Sequence, residues 1–269
     1  LSKAIENKSL TSDTFNNRGV VLKRLGMSEE ALSDFNQALS IDPNNAFALN
    51  NIGQILKERG DLNQALKYFN LAISLNDDYA DAYNNRGKAL FLQGKVEDAL
   101  MNSKKAILLK PDDESSYCNL GTALTKLKHF VHGIKAFDRA IELKIDYTEA
   151  YNNRGLAFFE NQKFDEALVD FDKAINLDSS YTAEVLNNRG ITYRELGRFD
   201  EAIKDLNKAL SLKPDFKEAY NSRGNIQKDL QHFDLAMEDF NRAIQLDPEY
   251  VDAYWNKALC MLHLGDFGS

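Results

Sequence analysis

The chain is poor in cysteine, proline and tryptophan, and it has no long apolar run. Its only two cysteines, Cys118 and Cys260, stand far apart and indicate no disulfide framework. No stretch of about 18 apolar residues occurs, so the sequence predicts no membrane-spanning helix. A net charge of −8 and a pI of about 5.2 argue against a protein that binds nucleic-acid backbones. We expect a cytoplasmic protein.

Catalytic signatures are also missing from the sequence. It contains no Walker loop, no GxGxxG and no HExxH segment, and we expect neither an enzyme nor a cofactor. His129 and His132 have the i, i+3 spacing that can hold a metal on one helix face. Because no further ligand accompanies this pair, a solvated turn is the favoured interpretation, and no metal is expected.

The chain does contain an internal repeat. A glycine recurs at intervals of 34 residues, with one interval of 35, and these glycines are Gly19, Gly53, Gly87, Gly121, Gly155, Gly190 and Gly224. A small residue, a bulky apolar residue and an alanine follow each glycine at fixed distances. The bulky residues are Phe35, Phe69, Phe137, Phe171, Leu206 and Phe240, with Ser103 as the exception. Small residues let two helices cross closely, and the bulky one fills the remaining space.

Each period predicts two amphipathic helices in a hairpin. Apolar residues recur at i, i+3, i+4 and i+7 on both sides of a turn that often holds glycine. All four prolines, Pro43, Pro111, Pro214 and Pro248, fall at one place in the period, just after the predicted second helix. Proline cannot continue a helix, so it marks the end of each hairpin.

A 34-residue helix–turn–helix with this order of Gly, Ala, Phe, Ala and Pro resembles the tetratricopeptide repeat family. The resemblance implies an all-α, right-handed superhelical solenoid of antiparallel helix pairs spanning 1–269, which binds protein or peptide partners in its concave groove. The full repeats are 12–45, 46–79, 80–113, 114–147, 148–181, 183–216 and 217–250. Thr182 is the extra residue behind the one longer interval, and we expect it to bulge the loop there.

The two ends of the chain do not fit the period. Residues 1–11 are interpreted as the remnant of a preceding repeat, and 251–269 as the first helix of a truncated one. Solenoids normally end on a polar capping repeat, whereas the last residues here include Trp255, Leu259, Cys260 and Leu262. We expect a piece of a longer protein, or an end that a neighbouring chain covers by self-association.

Arginine and aspartate are correlated within the repeats. Arg18, Arg154, Arg189 and Arg223 precede the repeat glycine, and sixteen residues after each stands Asp34, Asp170, Asp205 or Asp239. Arg86 with Asn102 breaks this rule. We predict ion pairs between the two helices of a hairpin, each worth about 0–1 kcal/mol if partly exposed.

A column of asparagines stands two residues before the repeat glycines, in the middle of the predicted first helices. Its members are Asn17, Asn51, Asn85, Asn119, Asn153 and Asn188, with Asn256 at the matching site of the last helix. Asparagine is a mediocre helix former, so its recurrence there needs a cause. The resemblance implies that the column lies on the concave face, where amides could grip the backbone of an extended peptide. The alternative is that the amides only bond a neighbouring helix.

Other residues are expected on the same face. The preceding turn carries acidic residues and the following turn basic ones, with Phe91 and Phe159 near the middle as candidate aromatic anchors. These two rings equally fit packing between repeats, and both interpretations stay open.

Two functions follow from the resemblance. The first is a non-catalytic scaffold that holds an extended segment of another protein, with no nucleic acid and no membrane insertion. The asparagine column is also similar to that of O-linked N-acetylglucosamine transferases. The alternative is therefore the substrate-recognition arm of a larger glycosyltransferase-type enzyme.

Overall fold

The computed structural model describes residues 11–177 and 182–264, and within these ranges it is all-helical, without a strand. The helices form two compact units that meet in sequence at 143/144. The first unit contains α1 (Ser12–Arg24), α2 (Ser28–Ile41), α3 (Ala46–Glu58), α4 (Leu62–Leu75), α5 (Ala80–Leu92), α6 (Val96–Leu109), α7 (Glu114–Lys126) and α8 (Phe130–Leu143). The interpretation of 1–11 as a repeat remnant falls outside the described residues, apart from Thr11, which caps α1.

The second unit contains α9 (Thr148–Glu160), α10 (Phe164–Leu177), α11 (Thr182–Glu195), α12 (Phe199–Leu212), α13 (Lys217–Asp229), α14 (Phe233–Leu246) and α15 (Val251–Leu264). In both units consecutive helices pair as antiparallel hairpins, so the predicted all-α solenoid of helix pairs is confirmed. Each proline follows the end of a second helix by two residues, as Pro43 follows Ile41.

In most hairpins the second helix packs against the repeat glycine of the first helix. The rings of Phe35, Phe69, Phe137, Phe171 and Phe240 are fully buried. A Cβ atom added at the facing glycine would lie only 2.6–2.7 Å from the nearest ring atom. Glycine is therefore required there because a phenylalanine ring takes the space of its side chain. In the third hairpin, where Ser103 replaces phenylalanine, a Cβ on Gly87 would meet its nearest atom at 3.2 Å.

The bulge predicted in the loop after Ser179-Ser180 falls on residues that the structure does not describe. Thr182 is the first residue of α11 and is buried, and α11 has 14 residues where the other first helices of hairpins have 13. Thr182 therefore adds one residue to the N-terminus of this helix. Residues 178–181 lie outside the described residues.

The predicted Arg–Asp pairs join the two helices of four hairpins. Each guanidinium donates two hydrogen bonds to one carboxylate, at 2.5–2.8 Å. The four carboxylates are only 4–8% exposed. Because the carboxylates are buried, the loss of one partner should cost more than the value expected for partly exposed pairs. In the third hairpin Arg86 donates instead to the amide oxygens of Asn102 and Asn70, both at 2.8 Å.

Within each unit, the first helices of successive hairpins contact one another, as α3 does α5 and α11 does α13. Successive second helices do not approach to the same extent. The first helices therefore lie on the inner side of each unit. The surface that they turn away from their own second helices is called the first-helix face below. This face carries the asparagine column.

Candidate functional site

The asparagine column is linked from repeat to repeat by side-chain hydrogen bonds. In the first unit Nδ2 of Asn51 donates to Oδ1 of Asn16 at 2.9 Å. Asn85 donates in the same way to Asn50 at 3.0 Å, and Asn119 to Asn84 at 2.6 Å. Each such hydrogen bond is called a rung. Its donor is called a ladder asparagine. Its acceptor, which stands three residues before a repeat glycine, is called an accepting asparagine.

The second unit repeats the arrangement. Nδ2 of Asn188 donates to Oδ1 of Asn152 at 3.0 Å, and Asn256 on α15 donates to Asn221, also at 3.0 Å. The sequence pattern predicted a role for the ladder asparagines and none for the accepting ones. A second asparagine often precedes the ladder asparagine, and that was the available signal. The contact with a neighbouring helix, one of the two interpretations left open, is thus present.

Burial distinguishes most accepting asparagines from the ladder asparagines. The accepting residues Asn16, Asn50, Asn152, Asn187 and Asn221 are 2–9% exposed, whereas the accepting Asn84 is half-buried. The ladder residues Asn51, Asn85, Asn119, Asn153, Asn188 and Asn256 are half-buried, and Asn17 is exposed. The ladder amides can therefore be reached from the first-helix face, whereas the accepting amides lie beneath them.

A ladder asparagine uses only part of its hydrogen-bonding capacity in a rung. A carboxamide has two N–H donors and an oxygen that accepts. At Asn51, Asn85, Asn119, Asn188 and Asn256 the rung consumes one N–H, and Oδ1 makes no hydrogen bond with any residue that the structure describes. Each rung therefore fixes the plane of an amide that still presents a donor and an acceptor.

The charged residues flanking the column are largely paired between repeats. Nζ of Lys23 lies 3.1 Å from Glu58, and Nε of Arg194 lies 2.6 Å from Asp229. On the acidic side, Lys213 binds Glu184 at 2.8 Å, and this hydrogen bond raises the pKa of Lys213. The two charged edges expected from the sequence are thus partly neutralised within the protein.

Both aromatic residues expected on the face, Phe91 and Phe159, are half-buried. Phe159 lies with its ring 5.5 Å from that of Phe164, on the second helix of its own hairpin, and Phe91 is half-buried on α5. Phe47 was not expected there. It is 52% exposed and packs edge-on against Tyr79 with ring centroids 5.1 Å apart. Phe47 occupies the position that Asp13 occupies in the preceding repeat, and this replacement of an acidic residue by an aromatic one could have indicated it from the sequence.

The remaining candidates lie away from this column. His129 and His132 are exposed at the start of α8, and the part of the chain that the structure describes contains no group of three potential metal-ligating side chains. None of the described helices is long and apolar enough to cross a bilayer. On α15, Trp255 is 67% and Leu262 55% exposed, but Cys260 is fully buried against the preceding hairpin. Self-association through this end stays a prediction.

Stacked helical hairpins whose inner helices carry an ordered amide column define an all-α repeat protein of the interaction-scaffold class. Models described as tetratricopeptide repeat match residues 12–45, 35–67, 114–145, 146–215 and 218–250, and a model described as TPR repeat matches 53–94 and 87–128. The chain belongs to the tetratricopeptide repeat family. A comparison with curated protein sequences found no match.

Solved structures show the same fold. The crystal structure of the APC/C hetero-tetramer Cut9–Hcn1 matches with a TM-score of 0.83 and 17% identity, covering 97% of this chain and 51% of that one. This chain thus spans about half the length of that relative. A tetratricopeptide repeat protein from Parabacteroides merdae matches with a TM-score of 0.72 and 19% identity, over 93% and 98% of the two chains. YrrB, titled a TPR protein with an unusual peptide-binding site, has a TM-score of 0.50 and 26% identity over 69% and 95%.

Proposed function

We propose that the first-helix face binds an extended segment of another protein through the ladder asparagines. The supporting observation is the set of rungs, each of which holds an amide in place while leaving its oxygen and one N–H to a ligand. The proposed contact residues are Asn17, Asn51, Asn85, Asn119, Asn153, Asn188, Asn256, Phe91 and Phe159.

A carboxamide offers the same donor and acceptor as a peptide group. Ladder amides can therefore bond the backbone of a guest in an extended conformation, whatever its side chains. Because the rung has already ordered the asparagine, little side-chain entropy is lost on binding. The half-exposed rings of Phe91 and Phe159 would add apolar contact at two places.

Two of the comparisons support a protein ligand for this chain. YrrB, at 26% identity, carries a peptide-binding site by its title, and the Cut9–Hcn1 structure is a hetero-tetramer. Peptide binding by the present chain is our proposal.

The test separates the role of a ladder amide from that of its rung. Asn85→Ala with Asn119→Ala removes two ladder amides and two rungs, while Asn50→Ala with Asn84→Ala removes the same two rungs and keeps the ladder amides. Peptides are first selected from a phage-displayed random library on the intact protein, and their affinities are then measured by fluorescence polarisation. We expect at least tenfold weaker binding for the first variant and a much smaller change for the matched control. Equal affinities for the intact protein and the first variant, or no selected peptide, would refute the proposal.

A further inference from the structure

One rung of the second unit is broken. Ser222 stands at the ladder position of α13, where Asn188 stands on α11 and Asn256 on α15. The accepting residue that it faces is Asn187, which is 7% exposed. Its Oδ1 atom is buried and has no hydrogen-bond partner. A serine side chain is too short to bridge the distance that asparagine bridges at the other rungs.

The other side of the Asn187 amide has lost its partner as well. At the comparable position of the first unit, Nδ2 of Asn50 donates to the Tyr79 hydroxyl at 3.2 Å, and in the second unit Asn221 lies close enough to the Tyr250 hydroxyl to offset part of the rise that burial causes in the pKa of that tyrosine. Each tyrosine stands 29 residues after its asparagine. The residue 29 positions after Asn187 is Phe216, which has no hydroxyl. Asn187 is thus a buried amide that makes no side-chain hydrogen bond with the residues that the structure describes.

Natural proteins seldom leave a buried polar group unsatisfied, and an exception calls for an explanation. Two differences at this rung, serine in place of asparagine and phenylalanine in place of tyrosine, each take a polar neighbour away from the same amide while leaving the amide in place. Ser222 is half-exposed on the first-helix face, and its side chain lacks the amide that reaches the accepting asparagine at the intact rungs.

The surroundings indicate a neutral ligand group. Glu184, one turn before Asn187, is paired with Lys213 at 2.8 Å. Lys217 lies 2.5 Å from Asp247 and 3.9 Å from Glu218, one turn before Ser222. These charges already have partners of opposite sign, so a charged guest side chain would gain little here. A neutral group that both donates and accepts would satisfy Asn187.

On the basis of the function proposed above, we propose that the broken rung between Asn187 and Ser222 takes a primary carboxamide, an asparagine side chain of the bound segment. The guest amide then occupies the place that asparagine fills at the intact rungs and donates, as those asparagines do, to Oδ1 of Asn187. The sequence-independent backbone contacts of the other ladder asparagines fix the register, and this site selects one side chain.

The probe is a set of three degenerate nine-residue peptide pools with acetyl and methylamide ends. Their central residue is fixed as asparagine, aspartate or alanine, and asparagine and glutamine are left out of all other positions. Aspartate has nearly the shape of asparagine but lacks its N–H donors. The full chain, labelled with 15N at asparagine, is titrated with each pool by NMR, and the Asn187 side-chain signal is assigned with Asn187→Ala.

Two variants control the site. Ser222→Asn restores the rung and blocks the place of the guest amide, whereas Ser222→Ala keeps the space and removes only the hydroxyl. We expect the asparagine pool to bind the intact protein at least fivefold more tightly than the other two pools and to shift the Asn187 amide signal. Ser222→Asn should lose this preference with unchanged helicity, and Ser222→Ala should keep it.

The outcomes distinguish this inference from the proposed function. Equal shifts of the ladder signals with all three pools, or a preference that survives Ser222→Asn, would overturn the inference and leave peptide binding intact. A titration in which no pool shifts any ladder amide would overturn both.

Discussion

A single methyl group placed on the repeat glycines should have opposite effects in different hairpins. In Gly155→Ala the new Cβ would lie 2.7 Å from Cε1 of Phe171, and two further ring atoms lie within 3.1 Å. Carbon atoms prefer a separation of about 3.5–4.0 Å. The ring is fully buried and would have to move in a close-packed interior.

The magnitude follows from two opposing terms. Overpacking of this kind costs about 1–3 kcal/mol, and more when the backbone must move. Replacing glycine by alanine inside a helix stabilises the folded state by about 1 kcal/mol, because alanine has the higher helix propensity. For Gly155→Ala, where three ring atoms are too close, we expect a net loss near the upper end, about 1–2 kcal/mol. For Gly87→Ala, whose nearest atom is Cβ of Asn102 at 3.2 Å, we expect no loss or a small gain.

The assay is urea unfolding followed by circular dichroism, with hydrogen exchange of α9 and α10 to localise the effect, since repeat arrays need not unfold in one step. A third protein supplies the coupling test. Phe171→Leu alone copies the natural pair Gly190–Leu206, where the nearest contact to an added Cβ is 3.1 Å, and the third protein combines it with Gly155→Ala. The free energy of unfolding should fall less in the double variant than the sum of the decreases in the two single variants. Equal destabilisation by Gly87→Ala and Gly155→Ala would refute the explanation of the glycines by ring packing.

Three further predictions concern single sites. Asp170→Asn should lower the free energy of unfolding by about 2 kcal/mol, as measured by urea unfolding. This is less than the cost of breaking a fully buried pair, because the Arg154 side chain is 19% exposed. An unchanged urea midpoint would contradict the prediction. Gln162 has a φ of 58°, so Gln162→Gly should raise the melting temperature, with a gain of about 0.5–1 kcal/mol, whereas Gln162→Ala should not. Burial raises the pKa of Tyr250 to about 12, so the protonated hydroxyl favours the folded state, and stability should fall as the pH rises from about 10 towards 12. Absorbance titration at alkaline pH checks this, and Tyr250→Phe should remove the component.

The sequence alone determined the helical hairpin and its phase. A period of 34 residues with glycine, alanine, phenylalanine and proline at fixed places leaves one way to bury the apolar stripe of each helix, which is to stack it on its neighbours. For the same reason the interhelical pair of Arg154 with Asp170 could be predicted, since both ends recur at a constant spacing. Such contacts within one hairpin can be predicted because they follow from a constant spacing along the sequence.

The tertiary structure decided what each polar residue contacts. That Asn85 donates to Asn50, and that the Asp170 carboxylate is nearly buried, depends on how successive hairpins approach one another. Thr182, the extra residue behind the longer interval, is a buried first residue of α11, a placement that the break in the period did not reveal. The broken rung at Asn187 also needed coordinates, since a missing bond is visible only where two helices meet.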